Sequence, residues 1–313
     1  MRIFRHHDAL PAELRGAAVA IGNFDGVHRG HQAVIGEAGR AAREANLPWA
    51  VLSFEPHPVS VFRPDTPPFR LTPFRIKARQ IEALGVDLLV VLHFDAALAA
   101  MPADAFVEDI LAGGLGARHV VSGYDFVFGH GRRGDCELLL HKGEIHGFGF
   151  TCVGAVKDGE GHVFSSTRVR DCLWHADPKG AAHVLGRAFE IEGRIEHGDA
   201  RGRTIGFPTA NLHLGEYIRP AAGVYAIRAG IDRGAETEWV SGVANLGRRP
   251  TFGGDDLVLE THLFDFSGDL YGQHLRVALI DFIRPEKKFD GIESLKAQIA
   301  ADCATARKLL ARP

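Results

Sequence analysis

Two hydrophobic periods run along this chain, and one gives way to the other near residue 180. In the first part, short apolar runs at 17–21, 49–54, 87–94 and 119–122 read as buried strands. Between them apolar residues recur at helical spacing: Val34, Ile35, Ala38, Ala41, Ala42 and Ala45 after Gly30, then Ile76, Ile81 and Leu84 within 74–84, then a helix near 103–111. Strands alternating with helices of this length predict βαβ units and a parallel sheet. Such sheets bind ligands beyond the carboxyl ends of their strands. Two glycine-bearing stretches, 22–31 and 123–129, fall at such ends, whereas the proline-rich stretch 64–73 reads as a loop.

Asp177-Pro178-Lys179-Gly180 breaks a helix that begins at Ser166, and a short helix to about Gly186 bridges to the second part. From there strands at 189–195, 224–229, 239–244, 258–264 and 275–283 follow one another without helices, several alternating in polarity, which predicts a small antiparallel barrel. Ile292, Leu295, Ile299, Cys303, Ala306 and Leu310 return to helical spacing behind Asp290 as a candidate cap, predicting a terminal helix packed on the barrel. The expected fold is therefore α/β: a parallel-sheet domain over 1–182 and an antiparallel barrel domain with a terminal helix over 183–313.

A length of 313 residues suits two such cores, and 46% hydrophobic with 24% charged residues is ordinary for a globular protein. A net charge of -3 gives no general pull toward nucleic acid or acidic membranes, so a polyanionic ligand must be held locally. The four cysteines form no Cys-x-x-Cys pair, which argues against a zinc ribbon or a disulfide framework and suits a reducing cytoplasm. The N-terminus lacks the apolar core of a signal peptide, and no apolar run is long enough to span a bilayer. The expectation is a cytoplasmic protein with small-molecule substrates and no nucleic-acid or membrane partner, homo-oligomerisation being left open.

Chemistry concentrates first in 22–31, Gly-Asn-Phe-Asp-Gly-Val-His-Arg-Gly-His. Gly22 and Gly26 permit a tight turn between strand and helix, and a helix N-terminus points backbone N–H groups at an anion. His28 and His31 share one side of that turn and can donate to phosphate oxygens; alternatively they are surface histidines, or a metal pair without its third ligand. Ser165-Ser166-Thr167-Arg168-Val169-Arg170 reads as a capped helix start, but arginine opposes the helix dipole there unless an anion compensates. The stretch 125–134 could close over a nucleotide or be a plain exposed turn.

A second constellation lies in the barrel. No Walker-type or protein-kinase signature occurs, so a second nucleotide site needs another device. The stretch 197–212 offers glycines for close backbone approach, arginines for charge, and Thr209 with Asn211 as hard oxygen ligands suited to Mg2+; read plainly, it is a charged hairpin loop. Glu260 sits in an otherwise apolar strand, where it is either a general base or a rim glutamate in an ion pair. The stretch 245–254 reads as a loop able to hold a flat heterocycle.

His-x-x-His behind Gly-x-Phe-Asp-Gly resembles the nucleotide-binding signature of nucleotidylyltransferases. With 53–58, 123–129, 165–170, 202–212, 245–252, 260–272 and 282–284, nearly the whole chain resembles the prokaryotic bifunctional riboflavin kinase and FMN adenylyltransferase family. The resemblance implies a Rossmann-like nucleotidylyltransferase domain followed by a six-stranded riboflavin kinase barrel. The activities implied are phosphorylation of riboflavin to FMN and adenylylation of FMN to FAD, both with ATP and Mg2+.

Carried onto this sequence, the resemblance implies that Gly22, Asn23, Phe24, Asp25, Gly26, His28, Gly30 and His31 surround the ATP phosphates, assisted by Ser165, Ser166, Thr167 and Arg170. Asp125, Phe126 and Phe128 would serve the FMN side, although many relatives carry Asn at the position of Asp125. In the kinase, Gly202, Arg203, Gly206, Phe207, Pro208, Thr209 and Asn211 would hold the nucleotide, with Thr209 and Asn211 on Mg2+. Glu260 would activate the riboflavin 5′-hydroxyl, and Arg249, Pro250, Thr251, Phe252 and Arg284 would lie by the flavin. Two rivals are a nucleotidylyltransferase for another phosphorylated acceptor, which leaves the second constellation unexplained, and a non-catalytic flavin-binding regulator, which should have lost Glu260, Asn211 or the histidines.

Overall fold

A computed structural model describes residues 1–8, 10–196, 206–234, 236–248 and 257–311. Its contacts divide the chain into two units, Met1–Pro67 with Thr72–Ser165, and Pro68–Leu71 with Ser166–Pro313. The sequence pattern draws its boundary later, at 182, because it reads the helix from Ser166 as the last of the βα series.

The first unit is built on six parallel strands: β1 (Arg2–Phe4), β2 (Ala18–Ile21), β3 (Trp49–Glu55), β4 (Leu88–His93), β5 (His119–Gly123) and β6 (Gly149–Val153). Their order is β1-β4-β3-β2-β5-β6, so the chain leaves the β2–β3–β4 side and resumes on the opposite side of β2 with β5. That reversal is a switch point, and it opens a crevice at the carboxyl ends of β2 and β5. Every residue of β2 is buried, as expected of a central strand covered on both faces. Helix α1 (Arg29–Ala45) buries Val34, Ile35, Ala38, Ala41 and Ala42 of the stripe read from sequence, whereas Ala45, in its last turn, is exposed.

Helices α2 (Pro58–Phe62), α3 (Phe74–Glu82) and α4 (Ala96–Ala100) follow, and α5 (Ala103–Ala105) runs on as a π-helical stretch, Phe106–Gly114. Strand β1 and the pair α6 (Cys136–His146) and β6 have no counterpart in the sequence-based elements. The reason is physical: β1 and β6 are edge strands with little burial, and α6 buries only Leu139 and Gly143, so none carries a clean apolar period.

The second unit begins with α7 (Ser166–Trp174) and α8 (Pro178–Leu185); Asp177 caps α8 by accepting from the Gly180 N–H at 2.8 Å. Strands β7 (Phe189–Arg194), β8 (Ala210–His213), β9 (Gly223–Asp232), β10 (Thr237–Arg248), β11 (Leu257–Leu263) and β12 (His274–Arg284) form an antiparallel sheet in the order β7-β12-β9-β10-β11-β8. A bridge between Glu196 and Asn211 brings its two edges together, so the six strands nearly close a barrel. Strand β8, with four residues, is too short to announce itself in sequence. The terminal helix α9 (Ile292–Leu310) seats Ala306 and Leu310 against Val224, Ala226, Val243 and Phe264 on the outer face of the barrel. Its N-cap is Gly291 with no side-chain bond, which corrects the expected Asp290 cap.

Candidate active sites

The turn 22–31 leaves the carboxyl end of β2 and enters α1 with unusual backbone: Phe24 at φ 50°, Gly26 at 92° and Val27 at 43°. Left-handed conformations at a non-glycine residue cost on the order of 1–3 kcal/mol and persist only where the surroundings fix them. Here the fixing groups are visible. The buried Asp25 carboxylate accepts from the Thr72 N–H at 3.0 Å, and the Gly26 N–H donates to Thr72 Oγ1 at 2.8 Å. Phe24 is 1% exposed and meets His31 edge-on, with ring centroids 5.3 Å apart.

His28 is the N-cap of α1. Its Nδ1 accepts from the His31 N–H at 3.3 Å, and the two imidazoles stack with centroids 3.5 Å apart. An Nδ1 that accepts leaves the neutral ring's proton on Nε2, so His28 presents a donor. Gly30 makes this packing feasible, since a Cβ there would stand 3.0 Å from both the His28 ring and the Phe164 carbonyl oxygen. The turn thus brings backbone N–H groups, a helix N-terminus and an imidazole donor to one place, an arrangement able to hold an anion. Gly22 and Asn23 lie at its entry, with the Asn23 carbonyl accepting from Ser53 Oγ at 3.3 Å.

Beneath Asn23 lies a group that periodicity does not reveal. Lys77 on α3 is 1% exposed; its Nζ is 2.7 Å from Glu55 Oε1 and 3.4 Å from Ser53 Oγ. A fully buried lysine is rare unless paired, and this one links the end of β3 to the floor of the turn. The signal in sequence is one charged residue on the apolar face of an amphipathic helix.

Asp125, Phe126 and Phe128 follow β5, the neighbour of β2 across the switch point, where Ile21 pairs with Ser122. Asp125 is exposed, Phe126 half-buried and Phe128 buried against Phe106, with Phe126 and Phe128 stacked at 5.7 Å. Ser165 closes the first unit, whereas Ser166, Thr167 and Arg170 belong to α7 in the second. There the Arg170 Nε donates to the Phe69 carbonyl at 3.0 Å, and the guanidinium lies over the Phe69 ring.

In the barrel, the register places Asn211 of β8, Glu260 of β11 and Asn245 of β10 directly opposite one another in a row. Opposed residues of an antiparallel ladder share a face, so three polar side chains converge on the side away from the apolar interior formed by Leu212, Leu259 and Leu246. Asn211 is 5% exposed, and its Oδ1 is buried without a hydrogen-bond partner among the described residues. Buried polar atoms are almost always satisfied, so an orphaned carboxamide oxygen beside a carboxylate fits a hard cation such as Mg2+. Among the described residues no group of three or more His, Cys, Asp or Glu could hold a metal ion.

His262, two residues beyond Glu260, anchors the approach to this row: its Nδ1 lies 2.9 Å from the Pro208 carbonyl, and its ring meets Phe207 edge-on at 5.5 Å. Gly206 takes φ 88° just before it. Pro208 and Thr209, with Ala210, Thr261, Leu270 and Tyr271, line a cleft. Arg284, at the end of β12, is gripped by the Asp302 carboxylate of α9, with Nη2 to Oδ2 at 2.7 Å and Nε to Oδ1 at 3.0 Å. The stretch 245–254, expected as a loop, begins instead as the last residues of β10, up to Arg248. Gly202, Arg203, Arg249, Pro250, Thr251 and Phe252 lie outside the described residues.

Comparison with known proteins gives both halves a counterpart. The family model for FAD synthetase matches residues 10–168, and that for riboflavin kinase matches residues 185–310. A bifunctional riboflavin kinase/FMN adenylyltransferase of Escherichia coli (strain K12) is 43% identical over 302 residues, covering 96% of this chain and 95% of the relative. That of Pseudomonas fluorescens is 43% identical over 312 residues, covering 99% and 98%. A crystal structure from Streptococcus pneumoniae, described as a macrolide-efflux protein, is similar with a TM-score of 0.85 at 31% identity, covering 97% of this chain and 98% of that one. In the present chain no helix among the described residues is long and apolar enough to cross a membrane.

Proposed function

The chain belongs to the family of bifunctional riboflavin kinase/FMN adenylyltransferases, and from that premise we propose how its residues divide the two reactions. The protein phosphorylates riboflavin to FMN and adenylylates FMN to FAD. The observation that carries the residue assignment is the pairing of Glu260 with Asn211, whose buried oxygen has no hydrogen-bond partner among the described residues.

In the kinase, Glu260 takes the proton of the riboflavin 5′-hydroxyl as its oxygen attacks the γ-phosphorus of ATP and ADP departs. Asn211 Oδ1 and the Thr209 hydroxyl would hold Mg2+, which when bound neutralises charge on the transferring phosphates. Gly206, Phe207 and Pro208, with Gly202 and Arg203, hold the nucleotide. Arg249, Pro250, Thr251, Phe252 and Arg284 serve the flavin, and Asp302 fixes the guanidinium plane of Arg284.

In the adenylyltransferase, the FMN phosphate attacks the α-phosphorus of ATP and pyrophosphate leaves. Such a transfer needs alignment and charge stabilisation rather than a covalent intermediate. His28 Nε2–H, His31 and the N–H groups opening α1 bear on the triphosphate, while Gly22, Asn23, Phe24, Asp25, Gly26 and Gly30 shape the cradle. Ser165, Ser166, Thr167 and Arg170 contribute to triphosphate binding in the same reaction. Asp125, Phe126 and Phe128, at the neighbouring strand end, serve FMN. Residues 1–182 carry this activity and 183–313 the kinase.

Incubation with riboflavin and MgATP, followed by separation of the flavins, tests the proposal. FMN should appear first and FAD later, with FAD formation requiring Mg2+; folded protein that yields neither flavin overturns it.

A further inference from the structure

Four cysteines without a Cys-x-x-Cys spacing predict no disulfide, yet the first unit brings two of them into contact. Cys136 opens α6, Cys152 lies in β6, and their sulfur atoms are 2.7 Å apart. A disulfide is about 2.05 Å long, so the two sulfurs need to close only roughly 0.7 Å. Both are free thiols, Cys152 exposed and Cys136 half-buried, so a small reagent reaches the pair.

The neighbourhood gives the pair a function. Cys152 stands opposite Ser122 in the β5–β6 ladder, and Cys136 Sγ lies 3.6 Å from the Ser122 hydroxyl and 3.6 Å from the Gly123 carbonyl. Gly123 begins the loop that carries Asp125, Phe126 and Phe128, and the Tyr124 N–H donates to the carbonyl of Val153, the residue after Cys152. The pair therefore sits at the base of that loop, touching both its first residue and the helix that receives its end.

We infer that Cys136 and Cys152 form a reversible thiol–disulfide pair that fixes the base of the 123–135 loop and so adjusts FMN use in adenylyl transfer. The second half of this inference rests on the assignment of that loop to FMN. The oxidant is a low-molecular-weight disulfide such as oxidised glutathione. One cysteine thiolate attacks a sulfur of the reagent, whose S–S bond breaks and releases one thiol; the second thiolate then attacks the mixed disulfide and releases the other. The two cysteines lose two protons and two electrons, and the external disulfide becomes two thiols. A dithiol reductant reverses the sequence.

The experiment uses the full chain with Cys172→Ser and Cys303→Ser, reduced and then equilibrated with glutathione/oxidised glutathione mixtures. Intact mass should fall by about 2 Da as two thiols become one disulfide. Without reduction, tryptic peptides 134–142 and 143–157 should appear linked, and dithiothreitol should separate them. Linked protein should show KM for FMN changed by about threefold or more, since a small shift at a binding loop acts on positioning; its riboflavin phosphorylation should be unchanged. Persistent glutathione adducts without the link overturn the pairing. A link that leaves KM for FMN unaltered overturns the coupling to the loop. Reduced protein that makes no FAD at all points instead to failure of the underlying site assignment, because the link is read by mass alone.

Discussion

Asn211 and Glu260 face each other across the β8–β11 ladder, and the carboxamide oxygen of Asn211 is buried with no hydrogen-bond partner among the described residues. Leaving such an atom unsatisfied costs about 1–3 kcal/mol, a cost that a cation-binding role explains. Asn211→Leu, similar in volume and without the orphaned oxygen, should keep or raise Tm while lowering riboflavin phosphorylation by about 10²-fold or more. FMN adenylylation should be unchanged. Calorimetry with a flavin assay checks both halves; a lowered Tm with kinase activity retained would refute the assignment.

Gly30 leaves room for the His28 ring at the start of α1. A Cβ at this position would stand 3.0 Å from His28 and 3.0 Å from the Phe164 carbonyl, so Gly30→Ala must displace the imidazole. The expected result is a loss of about 3–10-fold in kcat/KM for ATP in FAD formation, less than the roughly 10²-fold of a full 1 Å misplacement because the imidazole needs to move by only a few tenths of an ångström. Phosphorylation of riboflavin should proceed at its normal rate.

Lys77 tests how rigid the floor of that turn has to be. Removing one member of a buried ion pair costs about 3–5 kcal/mol, so Lys77→Met should lower stability by that amount in denaturant titrations. Lys77→Met combined with Glu55→Gln should recover part of the loss, because the second change removes the charge left opposite the first. A double variant that loses as much as Lys77→Met and Glu55→Gln added together would show that the pair is not coupled.

Cys152 carries a pH prediction. Although the residue is exposed, local desolvation of its sulfur, then its hydrogen bond with the Cys136 sulfur, pushes this thiol up to about 12. The reactive species is the thiolate, so a raised value means less of it at any given pH. Alkylation of Cys152 by iodoacetamide, followed by peptide mass spectrometry, should rise by about tenfold per pH unit on the approach to that value. A rate that levels off near the ordinary thiol value of 9.0 would contradict it.

What the sequence discloses follows from how each element is packed. Strands β2 and β3 are legible because each is a short, continuously buried apolar run, helix α1 because its burial recurs at helical spacing, and the turn 22–31 because its glycines and histidines occupy fixed offsets. The edge strands β1 and β6 and the four-residue β8 are not, since pairing with a neighbour rather than local pattern creates them. Sequence spacing offers Thr209 and Asn211 as cation ligands, but only the register places Asn211 opposite Glu260 and Asn245. Lys77 and Asp302 are hidden for a related reason: their importance lies in partners 22 and 18 residues away, Glu55 and Arg284.

The central claim is that the two reactions have separate machinery within one chain, and the flavins produced by two variants test it most directly. Glu260→Gln, given riboflavin and MgATP, should form no FMN, yet convert supplied FMN to FAD at the normal rate. His28→Ala with His31→Ala should show the reverse, accumulating FMN and forming no FAD. If either variant lost both activities while folded, or if the two patterns were exchanged, the account would be contradicted.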